Sequence, residues 1–279
     1  MMKKKSWIKN QLKTFFDRDA QKFQEDRWGN RPEAVYDFIM TKRVLKKAID
    51  NLKIKKHLYI LDLGCGTGKW AREMDKMRHN IKYVGVDFSE KMLRKAVEED
   101  RKHSKIEHLY ILSDMEIIDF NKQFDLVICI HSLEYLLKPE ELFKKINKWL
   151  SPGGVCLIIT KNANAIVWRL FTLISNKFIK NPLVYQRWYT ENEIIKMAKK
   201  SHLNIIEIGG ISMRLPTYFG DVNDALPKRV LPLNLTKLLC SLIMIMEHKL
   251  SNKFFFRKYC CWHLYFLLTK QTKPNEFSI

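Results

Sequence analysis

Short apolar runs recur along the middle of the chain, and each is followed by a stretch with helical spacing of apolar residues. Short runs that end in glycine or in acidic and polar residues predict strands buried in a parallel sheet. Five runs have this form: Tyr59–Leu63, Ile81–Asp87, Ile106–Leu112, Phe124–Ile130 and Val155–Thr160. Strands that alternate with helices predict an α/β domain with helices on both faces of the sheet.

The two ends of the chain carry mostly helical patterns. Apolar spacing predicts helices over residues 3–26, 32–52, 163–174, 191–200 and 232–250. A proline stands at the first turn of the second of these helices, and a Thr-x-x-Glu capping box stands at the start of the fourth. A sixth strand is predicted over residues 203–209.

The first predicted strand runs into a glycine-rich turn. Gly64, Gly66 and Gly68 alternate with other residues, and Asp62 lies two residues before the first of them. Glycines directly after a buried strand let the backbone turn tightly and approach a ligand at the start of the next helix. Dinucleotide-binding folds use the spacing G-x-G-x-x-G, which differs from the G-x-G-x-G found here. The D-x-G-x-G-x-G pattern resembles motif I of the class I S-adenosylmethionine-dependent methyltransferases.

Later segments resemble the same family in order and spacing, from about residue 57 to residue 160. The resemblance implies an α/β, Rossmann-like, seven-stranded, mostly parallel sheet in the order 3-2-1-4-5-7-6, with helices on both faces. It implies that the seventh strand, Trp262–Lys270, is antiparallel. It also implies an N-terminal helical cover (1–56), a cofactor-binding core (57–160) and a part that completes the sheet and adds substrate-side insertions (161–279), all within one structural domain.

The resemblance also assigns S-adenosylmethionine as the cofactor and places it at the ends of the first four strands. The backbone of Gly64–Gly68 suits the cofactor carboxylate, Asp62 its ammonium, Asp87 its ribose hydroxyls and Asp114 its adenine amino group. Two methionines either sandwich the adenine or belong to the core. The predicted cofactor residues are Asp62, Gly64, Cys65, Gly66, Gly68, Asp87, Phe88, Met92, Asp114, Met115, Ile130 and His131.

In the resembled family, methyl group and acceptor meet at the loop after strand four, here His131–Leu136. A histidine suits general base catalysis near neutral pH, so His131 is a catalytic candidate, with packing or cofactor contact as the alternative. Many relatives carry Glu-His where this chain has Glu134 and Tyr135, and Tyr135 is the second candidate although tyrosine is a weak base near neutrality. The loop does not resemble the Pro-Pro-aromatic motif of nucleobase amino-methyltransferases. It looks more like the branch that methylates small molecules and lipids at oxygen, nitrogen or carbon.

Charge is distributed unevenly along the chain. The formal net charge is +20, yet residues 57–160 hold 16 basic and 16 acidic side chains. Residues 1–56 hold 16 basic against seven acidic side chains, and residues 161–279 hold 18 against seven. Positive flanks suit an anionic partner such as a phosphorylated substrate, an anionic membrane or RNA, with a solvated lysine-rich surface as the alternative.

Two apolar segments in the basic C-terminal part, 166–174 and 235–250, predict either core packing or a surface that rests on lipid. Residues 235, 238, 239, 242, 246 and 250 share one face of the second segment. We expect an acceptor pocket over the strand-four loop, lined by Trp168, Phe171, Tyr185, Trp188 and Tyr189.

The six cysteines form no C-x-x-C pair and have no histidines at zinc spacing, which predicts a reduced protein without a metal. The N-terminus lacks the apolar region of a signal peptide, so a cytoplasmic protein is expected, with contact to the inner face of an anionic membrane. The sequence therefore predicts methyl transfer from S-adenosylmethionine to a small-molecule, lipid-linked or anionic acceptor. The alternatives are an RNA methyltransferase that uses the basic flanks and a non-catalytic cofactor-binding subunit.

Overall fold

The computed structural model describes residues 2–23, 29, 31–52, 57–77, 80–104, 108–167, 169–170, 173, 185–213 and 231–271. Its helices are α1 (Met2–Asp19), α2 (Pro32–Asp50), α3 (Lys69–Met77), α4 (Glu90–His103), α5 (Pro139–Trp149), α6 (Glu191–Lys200), α7 (Leu233–Leu250) and α8 (Phe254–Tyr259). Its strands are β1 (Leu58–Leu63), β2 (Ile81–Asp87), β3 (Leu109–Leu112), β4 (Phe124–Ile130), β5 (Leu150–Lys161), β6 (Leu203–Ile211) and β7 (His263–Lys270). A short 3₁₀ turn, Leu133–Tyr135, follows β4.

The strands form one sheet in the order β3-β2-β1-β4-β5-β7-β6, which confirms the predicted order. Strands β1 to β5 pair in parallel, whereas β7 lies antiparallel between β5 and β6. The chain therefore builds outward from β1 to β3 and then returns to place β4 on the other side of β1. Such a reversal leaves a crevice at the carboxyl ends of the two strands where the order changes, here β1 and β4.

Alternate residues of the central strands point to opposite faces of the sheet. Ile60 and Ile128 pack in one apolar cluster with residues of α2 and α3, and Leu61 and Val127 pack in another with residues of α5 and α6. All four side chains are fully buried. Because both faces are covered, the strands have no polar side, and this explains their nearly continuous apolar sequences.

Helix α1 lies outside these two layers and is fastened to the segments that follow β2 and β3. Its Phe16 packs in a small cluster with Met92 of α4. Asp17 accepts a hydrogen bond from Ser89 Oγ at 2.5 Å, and Lys9 forms an ion pair with Asp114 at 3.0 Å. These contacts hold α1 near the carboxyl ends of the first three strands.

Helix α7 packs on α2, and its Cys240, Ile243 and Met244 join the apolar cluster there. Glu247 is fully buried and accepts hydrogen bonds from the Tyr36 hydroxyl and from the backbone N–H groups of Ser212 and Met213, the latter two at 2.9 Å. These hydrogen bonds offset part of the cost of burying the carboxylate, and burial still raises the pKa of Glu247 to about 7.

The opposite side of α7 is apolar and exposed. Leu238 is 55% exposed and Leu242 is 50% exposed, and Leu235 and Met246 also face outward. Core packing, one of the two explanations for this face, is therefore wrong for these four residues. Within the part of the chain that the structure describes, no helix combines the length and apolar character needed to cross a membrane.

Asp125 of β4 is hydrogen-bonded to both neighbouring strands, β1 and β5, so we expect its substitution to destabilise the fold. Its carboxylate accepts hydrogen bonds from Tyr59 N at 3.0 Å and from Ser151 Oγ at 2.9 Å. Asp125→Ala leaves both donors without this acceptor in a buried place, so we expect the free energy of unfolding to fall by roughly 2–4 kcal/mol. Urea denaturation measures this change.

The matched control is Glu141→Ala, which removes a carboxylate that is exposed on α5 and paired with the exposed Lys144. We expect a change below about 0.5 kcal/mol there. Equal losses in the two variants would contradict the role of Asp125.

Candidate active site

The glycine turn after β1 borders a pocket at the crevice between β1 and β4. Gly66 has a φ of 53°, and its N–H donates to Asp87 Oδ2 at 2.9 Å. A Cβ at Gly66 would meet no clash, with Phe23 Cε1 as its nearest neighbour at a contact distance of 3.7 Å. Glycine therefore leaves the backbone of the turn bare toward the pocket, as close approach by a ligand requires.

The other two glycines of the motif are enclosed by the protein itself. A Cβ at Gly64 would clash with the side chain of Ser132, and one at Gly68 would clash with the hydroxyl of Tyr110. Ser132 Oγ also donates to the carbonyl oxygen of Leu63 at 2.6 Å. This bond connects the loop after β4 to the end of β1 across the crevice.

Asp87, at the end of β2, is held rigidly beside the glycine turn. Its Oδ1 accepts a hydrogen bond from Ser89 N, and its Oδ2 accepts one from Gly66 N, both at 2.9 Å. Burial raises the pKa of Asp87 to about 6, against the lowering effect of these hydrogen bonds. Each carboxylate oxygen keeps further acceptor capacity. The group can therefore accept bonds from the two adjacent hydroxyls of a ribose.

Asp62, at the end of β1, is buried and does not line the pocket. The Tyr83 hydroxyl donates to Asp62 Oδ2 at 2.6 Å. Burial raises the pKa of Asp62 to about 7, and the nearby Asp87 carboxylate raises it as well. The predicted contact of Asp62 with the cofactor ammonium stays a prediction.

Aromatic rings cover the apolar side of the pocket. The ring of Phe16 lies 5.0 Å from that of Tyr135, 5.8 Å from Phe88 and 6.3 Å from Phe23, measured between centroids. The predicted cofactor residues that line the pocket are Gly64, Cys65, Gly66, Asp87, Phe88, Met92, Met115, Ile130 and His131. An apolar wall with a few polar groups is the usual composition of a small-molecule site.

The loop after β4 contributes both predicted catalytic candidates, His131 and Tyr135. His131 has a φ of 54°, a conformation that few non-glycine residues adopt, and its N–H donates to Ile159 O at 2.9 Å. Tyr135 Oη accepts a hydrogen bond from Gln186 Nε2 at 3.0 Å. Backbone strain of this kind clusters at functional sites.

Glu134 lies between these candidates and is buried at the pocket wall. Its Oε1 accepts a hydrogen bond from Lys161 N at 2.9 Å. Burial raises the pKa of Glu134, and the positive charge of Lys161 opposes this rise.

The pocket continues past the predicted cofactor residues to the end of β5 and the start of β7. Lys161, Trp262 and His263 line this part together with Asp37 of α2, and none of these four is among the residues predicted from the sequence. The first residues of an antiparallel strand lie at the carboxyl edge of its parallel neighbour, so the predicted direction of β7 was a signal for Trp262 and His263. No pattern in the sequence marks Asp37, because its place depends on how α2 packs.

Several predicted ligand-binding side chains do not line the pocket. Asp114 is ion-paired with Lys9, and its Oδ1 accepts a hydrogen bond from Glu116 N at 2.9 Å. Its predicted contact with adenine is not tested by this geometry. Gly68 also lies outside the pocket lining, behind the turn.

The predicted acceptor residues that the structure describes do not line the pocket. Tyr185 and Trp188 are half-buried, and neither lines the pocket. Tyr189 does not line the pocket either: it is fully buried in the core with residues of α6, and its hydroxyl donates to Leu133 O at 3.2 Å. Trp168 and Phe171 lie outside the described residues.

Comparison with known proteins agrees with this geometry. Residues 28–208 match the family described as "Methyltransferase domain". The chain is 26% identical over 193 residues to a ubiquinone biosynthesis O-methyltransferase of Coxiella burnetii, covering 66% of this chain and 80% of that protein. It is 27% identical over 170 residues to the protein of the same name from Rickettsia bellii, covering 57% and 69%.

Solved structures show the same fold. An S-adenosylmethionine-dependent methyltransferase from Clostridium acetobutylicum superposes with a TM-score of 0.54 at 17% identity, covering 85% of this chain and 92% of that one. Magnesium protoporphyrin IX methyltransferase from Synechocystis, with bound S-adenosylhomocysteine, has a TM-score of 0.56 at 15% identity, covering 75% and 95%. From the family match and the shared sheet order, the chain belongs to the class I S-adenosylmethionine-dependent methyltransferases.

Proposed function

We propose that this enzyme transfers the methyl group of S-adenosylmethionine to a hydroxyl oxygen of a small, partly apolar acceptor. The observation that carries the proposal is the set of groups at the far end of the pocket: two imidazoles, His131 and His263, lie with Lys161 beside the ring of Trp262. A hydroxyl that attacks a methyl group must lose its proton, and imidazole is a suitable proton acceptor near neutral pH. The printed name of the bacterial relatives, O-methyltransferase, supports the same choice of atom.

The residues around the glycine turn fit the cofactor. Gly66 leaves its backbone bare toward the pocket, and the fixed Asp87 carboxylate suits a ribose. When bound, S-adenosylmethionine supplies an electrophilic methyl group and a good leaving group. The protein therefore has to align the acceptor and exclude water, which the rings of Phe16, Phe23 and Tyr135 are placed to do.

Lys161 favours an acceptor that becomes negative as it reacts. Its Nζ donates to Gln186 Oε1 at 2.8 Å and lies 5.3 Å from the centroid of the Trp262 ring. A positive charge near the acceptor oxygen stabilises a developing phenolate or alkoxide. Beside an aromatic ring, it suits a flat acceptor that carries a hydroxyl.

Asp87 should control cofactor binding. Because the ionised carboxylate accepts two hydroxyl hydrogen bonds, we expect Asp87→Asn to weaken S-adenosylmethionine binding about 10- to 100-fold at pH 8, as measured by calorimetry. Glu98→Gln, which changes an exposed carboxylate on α4, is the control and should leave affinity unchanged.

The same titration tests the raised pKa of Asp87. As pH falls through about 6, Asp87 gains a proton in the free protein and loses acceptor capacity, so affinity should fall about tenfold between pH 7 and pH 5. Asp62, with a pKa of about 7, is expected to add to this loss. Asp87→Asn should flatten the curve by the Asp87 contribution, and an unchanged pH dependence in this variant would exclude Asp87 from the ribose site.

A single labelling experiment separates the candidate acceptors. The enzyme is incubated with methyl-labelled S-adenosylmethionine and a fractionated cell extract, and the label is located. We expect it in a solvent-extractable small-molecule fraction as a methyl ether. Label in the RNA fraction would favour the alternative that rests on the basic flanks, and no label in any fraction would contradict the proposal.

We further propose that the exposed face of α7 rests reversibly on anionic lipid. Leu238, Leu242 and Ile245 are at least half exposed, and Phe254 and Phe255 of α8 are equally exposed. Basic residues border these side chains at Lys237, Lys249, Lys253 and Lys258. Apolar burial and attraction to anionic headgroups then act together.

Vesicle co-sedimentation tests this surface. We expect binding to vesicles of phosphatidylglycerol and phosphatidylcholine, and little binding to phosphatidylcholine alone. The double variant Leu238→Ser, Leu242→Ser should bind at least about tenfold more weakly, because it removes apolar area that lipid would bury. Ile117→Ser, at a residue 76% exposed elsewhere on the surface, is the control. Equal binding to both vesicle types would defeat the proposal.

A further inference from the structure

Four strands end or begin at one edge of the sheet, and their terminal residues meet on the acceptor side of the pocket. His131 follows β4, Lys161 ends β5, Ser212 follows β6 and His263 begins β7. The strand register pairs His263 with Lys161 on one side and with Ile211 on the other. His263 is 5% exposed and lines the pocket, and its ring centroid is 4.3 Å from that of His131.

A hydrogen-bond relay runs from His263 to α2. Ser212 Oγ donates to Asp37 Oδ1 at 2.7 Å, and His263 Nδ1 lies 3.2 Å from the same Ser212 Oγ. A carboxylate only accepts hydrogen bonds, so the single hydroxyl proton of Ser212 is directed to Asp37. Ser212 Oγ can then only accept from His263. The proton of the neutral imidazole is therefore on Nδ1, and its lone pair is on Nε2.

Ser212 is held in position at every backbone group. It has a φ of 65°, and its N–H donates to Glu247 Oε1 at 2.9 Å. Its carbonyl oxygen accepts from Trp262 N at 3.0 Å. Glu247 is itself fixed by Tyr36 and by Met213 N. A serine keeps the left-handed backbone conformation only where its neighbours fix it in this way, and such backbone strain is typical of functional sites.

We propose that His263 is the general base of the methyl transfer, with Ser212 and Asp37 as its positioning residues. This rests on the proposed hydroxyl acceptor. Nε2 of His263 takes the hydroxyl proton as the acceptor oxygen attacks the methyl carbon. The new carbon–oxygen bond forms while the carbon–sulfur bond breaks, and the electron pair of that bond stays on sulfur, which becomes a neutral thioether. The proton remains on His263, and Asp37 stabilises the resulting imidazolium through Ser212.

The neighbouring charges set the pH at which this base acts. Cationic Lys161, and His131 when protonated, oppose a second positive charge on His263, whereas Asp37 favours it. Besides His263, the described titratable groups that line the pocket or hold the relay are Asp37, Cys65, Lys69, Asp87, His131, Glu134, Tyr135, Lys161 and Glu247. Because the base must be neutral to act, the rate should rise with pH and then reach a plateau.

The tautomer of His263 can be measured in the protein without any methyl acceptor present. Long-range proton–nitrogen NMR on protein labelled with ¹⁵N-histidine, at pH 8.5, should show the Nδ1–H form, with the signal assigned by its loss in His263→Gln. Ser212→Gly removes the hydroxyl and keeps a backbone suited to positive φ, so it should abolish this preference. The Nε2–H form in the unsubstituted protein, or no preference, would overturn the proposal.

Kinetics then test the catalytic role, with 3,4-dihydroxybenzoate and the labelled extract fraction as acceptors. We expect His263→Gln to lower kcat by about 10²- to 10⁴-fold and to remove the rise of rate with pH, with S-adenosylmethionine affinity unchanged. Ser212→Gly should lower kcat less, and His103→Gln on the exposed surface of α4 should have no effect. An unaltered kcat and pH profile in His263→Gln would overturn the assignment of His263 as general base, but not the proposed function. Absence of methyl ether formation by the unsubstituted enzyme with either acceptor would overturn the proposed function as well.

Discussion

The reversal of strand order at β1 is the constraint on which the rest of the structure depends. The helix after β1, α3, packs on one face of the sheet, and the helix after β4, α5, packs on the other. Neither connection can cover the carboxyl ends of these two strands, so a crevice remains between them. The glycine turn and the loop after β4 are its two walls, and the hydrogen bond from Ser132 Oγ to Leu63 O fixes the distance between them.

The sheet divides the chemistry between its two halves. The ends of β1 and β2 supply the bare glycine backbone and the carboxylate that suit a nucleoside. Strands β4, β5 and β7 supply two imidazoles and an ammonium group, and β6 supplies the hydroxyl of Ser212. The antiparallel direction of β7 is what makes this possible. It brings the first residues of that strand, His263 among them, to the edge where β5 and β6 end. A parallel strand in that position would place its first residues at the opposite edge of the sheet.

Much of this architecture could be predicted from the sequence, because short-range patterns determine it. The buried central strands, the tight turn at the glycines and the Thr190 capping box all have local signatures, and the structure confirms them. The predicted burial of the third strand is wrong, because β3 is the outermost strand of the sheet and its Leu109 and Leu112 are more than half exposed. The burial of Tyr189 and the outward face of α7 had no such signature. Helical spacing tells which residues share a face, but not which face is buried. On α7 the decision lies with Glu247, whose partners come from α2 and from the segment after β6. Asp37 and Ser212 escaped prediction for the same reason, since they meet across 175 positions of sequence.

The three glycines of the turn have different neighbours, so a substitution meets a different constraint at each position. Gly68 is confined by Tyr110, whose hydroxyl donates to Asp100 at 2.8 Å within a buried cluster that also holds Arg72 and His108. An alanine at position 68 becomes tolerable only in a lineage that has already lost the tyrosine, so position 110 should change before position 68. Among the described residues no side chain confines position 66 in this way, so its positive φ is the constraint that the fold itself places there.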